Sequence, residues 1–185
     1  MRIVLASASP RRQELLRNAG IDFAVQPANI EEVRLTGETA TEFGERMAHE
    51  KAQAVRKSRP EEWILAADTV VVVADEALGK PTDENDASRM LRLVAGREHQ
   101  VITGVCLLSA DFEDVRSEST AVHFSPMTDA EIQDYVATGE PMDKAGAYAI
   151  QGIASRWISK VEGDYSNVVG LPVDLVWRML REHGA

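Results

Sequence analysis

The stretch WILAADTVVVV, residues Trp63–Val73, decides the fold class. It is apolar almost without interruption and rich in β-branched valine, so it reads as a strand buried on both faces. Strands of that kind belong to sheets covered by helices. The pair Asp68-Thr69 interrupts it. A carboxylate in such surroundings is costly unless it is hydrogen-bonded, ion-paired or metal-bound. Two readings stand: a structural turn, or a functional carboxylate just past a strand ending at Ala67, where α/β sheets usually place ligands.

Outward from there, helix and strand signals alternate. Arg2–Leu5 reads as a short buried strand, followed by the loop Ala6–Ser9 and a helix from Pro10 to about Asn18. Ser9 is its N-cap, Pro10 its first residue and Gly20 its terminator. Asp22–Gln26 alternates like a strand, and Ala28–Thr39 has no period. Thr41–Arg56 is an expected helix with Phe43, Met47 and Val55 on its apolar stripe and Glu45, Glu50 and Lys51 on its polar face. Gly79-Lys80-Pro81 breaks the pattern before a helix capped by Thr82 or Asp83, running to about Val94 and ended by Gly96. Gln100–Ser109 and Val115–Phe124 read as an antiparallel pair. Thr128-Asp129-Ala130-Glu131 is a capping box opening a helix to about Thr138. A glycine-rich stretch, Gly139–Gly152, follows, then a strand at Trp157–Glu162, a turn at Gly163-Asp164 and a helix from Pro172 to Glu182. Strands alternating with helices, plus one hairpin, predict a mixed α/β sheet.

A chain of 185 residues suits one domain with a sizeable core, or two lobes sharing a sheet. The net charge of −10 argues against a nucleic acid polymer as partner, so any phosphate site must be a local basic island. No targeting segment is visible, and the longest apolar run is too short to span a bilayer. Cys106, the single cysteine, excludes an intramolecular disulfide and reads as a buried small hydrophobe, which places the chain in a reducing compartment, the cytoplasm.

The loop SASPRR, Ser7–Arg12, supplies that island. Arg11 and Arg12 fall in the first turn of a helix, where unpaired N–H groups and the macrodipole already make the site positive. Cations there are unfavourable unless an anion binds, and a small-residue loop between strand and helix is the usual geometry for holding phosphate. The alternative is a serine cap with two solvated arginines. Glu31-Glu32 is either a solvated pair or the source of a second carboxylate that completes, with Asp68, a hard oxygen site for Mg²⁺. The residues alone do not separate Glu31 from Glu32. Lys51, Lys80 and Lys144 read singly as surface charges, although Lys80 and Lys144 sit on rigid or glycine-containing loops. His49, His99, His123 and His183 show no metal-ligand spacing.

Taken together, SASPRR, Glu50-Lys51-Ala52, Ala67-Asp68-Thr69, Gly79-Lys80-Pro81, Thr103-Gly104, GEPMDKAGAYAIQG (139–152) and GDYSNVVGLP (163–172) resemble the Maf family of nucleoside triphosphate pyrophosphatases, nearly end to end and in order. The form of residues 139–152 is similar to the subgroup acting on dTTP and UTP rather than on 7-methyl-GTP. The resemblance implies a single domain over 1–185, a mixed twisted sheet with flanking helices in the inosine triphosphatase-like fold, and two lobes around a central cleft. It implies Asp68 as general base, Arg11, Thr69 and Gln151 as base-selectivity positions, and Ser7, Ser9, Arg12, Lys51, Lys80 and Lys144 as phosphate contacts. It also implies Glu32 and Asp68 as holders of Mg²⁺ or Mn²⁺, and assembly as a homodimer. The expected reaction is hydrolysis of the α–β phosphoanhydride of dTTP or UTP. The rivals are a nucleotide-binding regulator of septum formation with little turnover, and a pyrophosphatase preferring CTP or modified nucleotides.

Overall fold

A computed structural model describes residues 3–184. Its strands are β1 (Ile3–Leu5), β2 (Phe23–Val25), β3 (Ile64–Val73), β4 (Glu76–Leu78), β5 (Glu98–Leu108), β6 (Glu113–Phe124) and β7 (Ile158–Glu162). Its α-helices are α1 (Pro10–Asn18), α2 (Ala40–Arg56), α3 (Glu84–Val94), α4 (Asp129–Ala137), α5 (Tyr165–Val169) and α6 (Val173–Glu182). The strands form one mixed sheet in the order β2-β1-β3-β5-β6-β7, with β4 pairing to β3. β1 runs parallel to β2 and β3, whereas β4 is antiparallel to β3 and β7 to β6. The mixed α/β expectation holds; of the first strand, Arg2 lies outside the described residues.

Two compact units divide the chain. The first comprises residues up to Asp68, Thr103–Glu118 and those from Gly170 onward; the second comprises Thr69–Ile102 and Ser119–Val169. In the first unit, the period of two along the strands sorts side chains onto two faces. Ile3, Leu5, Leu65, Ala67, Val105 and Leu107 share one core with Leu16 of α1 and Leu175, Val176, Met179 and Leu180 of α6. Val4, Ala6, Ile64, Ala66, Cys106 and Leu108 share the other with Ala48, Ala52 and Val55 of α2. Cys106 is fully buried as expected, and burial pushes its thiol up to about 12. In the second unit, buried Ala87, Met90, Leu91 and Val94 of α3 and Ile132, Tyr135 and Val136 of α4 supply helical apolar faces. His99, Phe124 and Tyr148 pack there as an aromatic cluster, with the His99 ring 5.4 Å from that of Tyr148.

Local expectations fare unevenly. Ser9 caps α1 by accepting from the Arg12 N–H, Asp83 caps α3, and both halves of the Thr128/Glu131 capping box form. β3, however, does not end at Ala67. It runs through Asp68 to Val73 and turns into β4, a strand with no counterpart in the periodicity. The turn uses Ala74 and Asp75, both at positive φ (47° and 64°), the backbone of a two-residue type I′ hairpin without its usual glycine. The short helix α5 is a second addition.

Candidate active site

The site is built on α2 and β3. Asp68 has the parity of Ile64 and Ala66, so its side chain continues the row that α2 covers. Along α2 the buried positions are Gly44, Met47, Ala48, Lys51, Ala52 and Val55, spaced three and four apart as on a helical stripe. Lys51 therefore lies on the buried stripe, not on the polar face where its charge had placed it. Its reason for being there is Asp68: Lys51 Nζ lies 2.6 Å from Asp68 Oδ1, with the two residues only 8% and 6% exposed. The same ammonium lies 2.6 Å from Glu32 Oε1, which brings that glutamate, rather than Glu31, into the cluster.

The approach of α2 to β3 has its own cause. A Cβ on Gly104 of β5 would stand 2.3 Å from the carbonyl carbon and oxygen of Gly44, and Gly44 itself lies against Gly104 N and Asp68 O. Two glycines facing each other let the helix backbone lie almost on the sheet beside Asp68.

On α1 and the loop before it, Ser7 Oγ accepts from the Ser9 N–H at 3.2 Å and from Arg12 Nη1 at 3.2 Å. Arg12 Nε donates to the carbonyl of Gly170 at 2.7 Å, tying SASPRR to the end of GDYSNVVGLP. Burial draws the Arg12 guanidinium below its ordinary value; Asp68 and Glu32 oppose that shift while Arg11 adds to it. A guanidinium stays charged regardless. Ser7, Ser9, Arg11, Arg12, Glu32, Lys51 and Asp68 thus all belong to the first unit, and Arg12, Glu32, Lys51 and Asp68 act electrostatically on one another.

Thr69, Lys80, Lys144 and Gln151 belong to the second unit. The loops carrying Lys80 and Lys144 are joined, since Gly146 N donates to Gly79 O at 3.0 Å. Gly146, at φ 70°, lies so close to Val71 that a Cβ would meet its methyl at 2.8 Å. Lys144 is paired with Asp143 and also donates to Glu140 O at 3.2 Å. Gln151 is exposed, in a turn closed by the bond from Gly152 N to Ala149 O at 3.1 Å.

Glu32 and Asp68 offer carboxylate oxygens only, and Lys51 engages one oxygen of each. Hard oxygen donors completed by substrate phosphate suit Mg²⁺ or Mn²⁺. A different cluster joins Glu98, His123 and Glu162, with His123 Nε2 2.7 Å from Glu162 and Lys160 Nζ 2.9 Å from the same carboxylate. Sequence spacing hides it because its members come from three neighbouring strands, β5, β6 and β7.

A model of the family described as Maf-like protein matches residues 2–183. The chain belongs to the Maf family. A Maf relative named dTTP/UTP pyrophosphatase, from Koribacter versatilis, is 51% identical over 184 residues, covering 100% of this chain and 95% of that one. Proteins of the same name from Symbiobacterium thermophilum and Geobacter sulfurreducens are 50% and 49% identical, covering 98% and 100% of this chain and 94% and 97% of their own. Among solved structures, the Staphylococcus aureus Ham1 protein matches with a TM-score of 0.53 at 15% identity, covering 99% of this chain and 100% of that one. That likeness concerns the fold alone.

Two features of this Maf chain escaped the sequence reading. Arg46 on α2 clasps Glu38 through two contacts, at 2.6 and 2.9 Å, and also donates to Val33 O at 2.9 Å. Glu38 in turn accepts from the Leu35 N–H, and Arg46 holds its carboxyl down to about 2. The segment that carries Glu32 is thereby fastened to the helix that carries Lys51. The second feature is Glu140, which lies beneath the turn containing Gln151.

Proposed function

We propose that this chain hydrolyses the α–β phosphoanhydride of dTTP and UTP, giving the nucleoside monophosphate and pyrophosphate. The observation that carries the reading is the buried carboxylate of Asp68, held at 2.6 Å by Lys51. A pure phosphate binder gains nothing from a negative charge beside its cations unless a metal intervenes, whereas a hydrolase needs a base there. The relatives' shared name supplies the substrate class.

In this reading a water lies in line with the α-phosphorus and Asp68 takes its proton, directly or through a second water. Lys51 holds the carboxylate in one orientation. Ser7, Ser9 and the N–H groups opening α1 receive phosphate oxygens, and Arg12, Lys51, Lys80 and Lys144 meet the charge that grows on the departing pyrophosphate. Glu32 and Asp68 would hold Mg²⁺ or Mn²⁺, which when bound supplies neutralising charge on phosphate oxygens. Arg11, Thr69 and Gln151 select the base: a site built to hydrogen-bond one base edge rejects bases that leave its groups unpaired. The same reading has the enzyme acting as a homodimer in the cytoplasm, on free nucleotides in excess or of non-standard form. No described helix is long and apolar enough to cross a membrane.

The test is pyrophosphate release from dTTP, UTP, CTP, 7-methyl-GTP and the purine triphosphates with Mg²⁺ or Mn²⁺, for wild type and Asp68→Asn. The expectation is turnover of dTTP and UTP that falls by about 10²–10⁴-fold in the variant, the usual range for a lost general base, with dTTP binding retained. Binding of nucleotide without turnover of any would replace the hydrolase with a nucleotide-responsive regulator.

A further inference from the structure

The turn that carries Gln151 is fixed at both ends by one pair, the buried Tyr135 and the half-buried Glu140. Tyr135 of α4, only 1% exposed, donates its hydroxyl to Glu140 Oε1 at 2.7 Å. The same hydroxyl oxygen accepts from Ala149 N at 3.3 Å, and the Glu140 carboxylate accepts from Ile153 N at 3.0 and 3.1 Å. Ala149 and Ile153 are the residues two before and two after Gln151. Between them the bond from Gly152 N to Ala149 O closes a β-turn with Gln151 at its third position. The carboxylate lies close against the turn: a Cβ on Gly152 would stand 2.3 Å from Glu140 Oε1 and would displace it. Burial, with the Glu140 bond, keeps the Tyr135 hydroxyl protonated, so it donates to the carboxylate and accepts from the backbone at once.

This arrangement bears on selectivity. An amide side chain carries both a donor and an acceptor, and by turning over it can satisfy either hydrogen-bonding pattern of a pyrimidine edge. Uracil and thymine present one pattern and cytosine the reverse, so a glutamine tells them apart only if its position and orientation are restrained. We propose that Glu140 and Tyr135 are positioning residues for base selectivity: they hold the Ala149–Ile153 turn so that Gln151 meets uracil or thymine and rejects cytosine. The proposal rests on the reading of Gln151 as a base-selectivity position. Glu140 and Tyr135 act through the turn and need touch no substrate.

The test compares kcat/KM for UTP and CTP, with thermal midpoints, in wild type, Gln151→Ala, Glu140→Ala, Glu140→Gln, Tyr135→Phe and the double variant Glu140→Ala/Gln151→Ala. Glu140→Ala and Tyr135→Phe should each lower the UTP-to-CTP ratio by about tenfold, within the range of coupling between contacting groups. Glu140→Gln, whose amide oxygen still accepts from Ile153 N, should restore part of it. The double variant should discriminate no worse than Gln151→Ala alone, since restraining an absent side chain has no effect. A merely structural role would lower both substrates together and leave the ratio unchanged, and that result in Glu140→Ala or, should it fail to fold, in Tyr135→Phe overturns the proposal. Additive losses in the double variant overturn it as well. A ratio untouched in Gln151→Ala removes the reading of Gln151, and the proposal with it, and that single variant identifies this cause.

Discussion

Replacing Lys51 by methionine keeps the length of the side chain and removes its charge. The change leaves Asp68, 6% exposed, without the ammonium at 2.6 Å, and leaves Glu32 facing the same place with a second negative charge. Removing one partner of a buried pair costs about 3–5 kcal/mol, because the other charge stays behind uncompensated. A chain of 185 residues unfolds with an entropy of roughly 0.39 kcal/mol/K, so the expected fall in melting temperature is about 8–13 °C. The double variant Lys51→Met/Asp68→Asn removes both charges and should recover most of that fall. Calorimetric melts at pH 7 without nucleotide or metal make the comparison. A single variant melting within about 2 °C of wild type, or a double variant no better than the single, would refute the argument that each charge is buried because of the other.

Gly104→Ala places a Cβ 2.3 Å from the Gly44 backbone, so α2 must lift from β5 beside Asp68. Melts should show a loss at or above the usual overpacking range of about 1–3 kcal/mol, together with loss of turnover. Burial lowers the His99 imidazole from an ordinary 6.5 to about 4, so the unfolded chain takes up this proton first. Its contribution is complete above about pH 6.5 and is lost as pH falls toward 4, at up to about 1.4 kcal/mol per pH unit. Urea titrations at pH 5 and 8 should show that loss in wild type and a smaller one in His99→Phe. Arg46→Ala frees Glu38, so amide exchange at Leu35, whose N–H Glu38 accepts, should quicken while exchange in β3 stays unchanged.

What could be read in the sequence was whatever is decided within a few residues. Ser9, Pro10 and Gly20 bound α1, and Thr128 with Glu131 opens α4, because caps act over one turn. β4 was missed because its hairpin turn is made from Ala74 and Asp75, neither of them a turn signal as strong as Asn-Gly. α5, at five residues, is shorter than the window over which a helical period shows. Lys51 was assigned to the wrong face because a charge was read as solvent-seeking. The stripe Gly44, Met47, Ala48, Ala52 and Val55 already contained its position, and a lysine there announces a buried carboxylate. Which carboxylates they are depends on chain crossings that no local pattern records. The residues alone allowed a glutamate of the Glu31-Glu32 pair to join Asp68, but the lysine between them is a feature of the structure.

The turn at Ala74 and Asp75 has a consequence for how this protein could change. Both residues are exposed and hold a left-handed backbone that costs an ordinary L-residue about 1–2 kcal/mol. Asn-Gly takes the same shape with far less strain. The hairpin is therefore a reserve of stability that the present sequence leaves untapped, at the far end of the strand that carries Asp68 and Thr69. A lineage or an engineer altering the base preference would first have to tolerate destabilising changes around the nucleotide. Ala74→Asn with Asp75→Gly would give such changes room to accumulate.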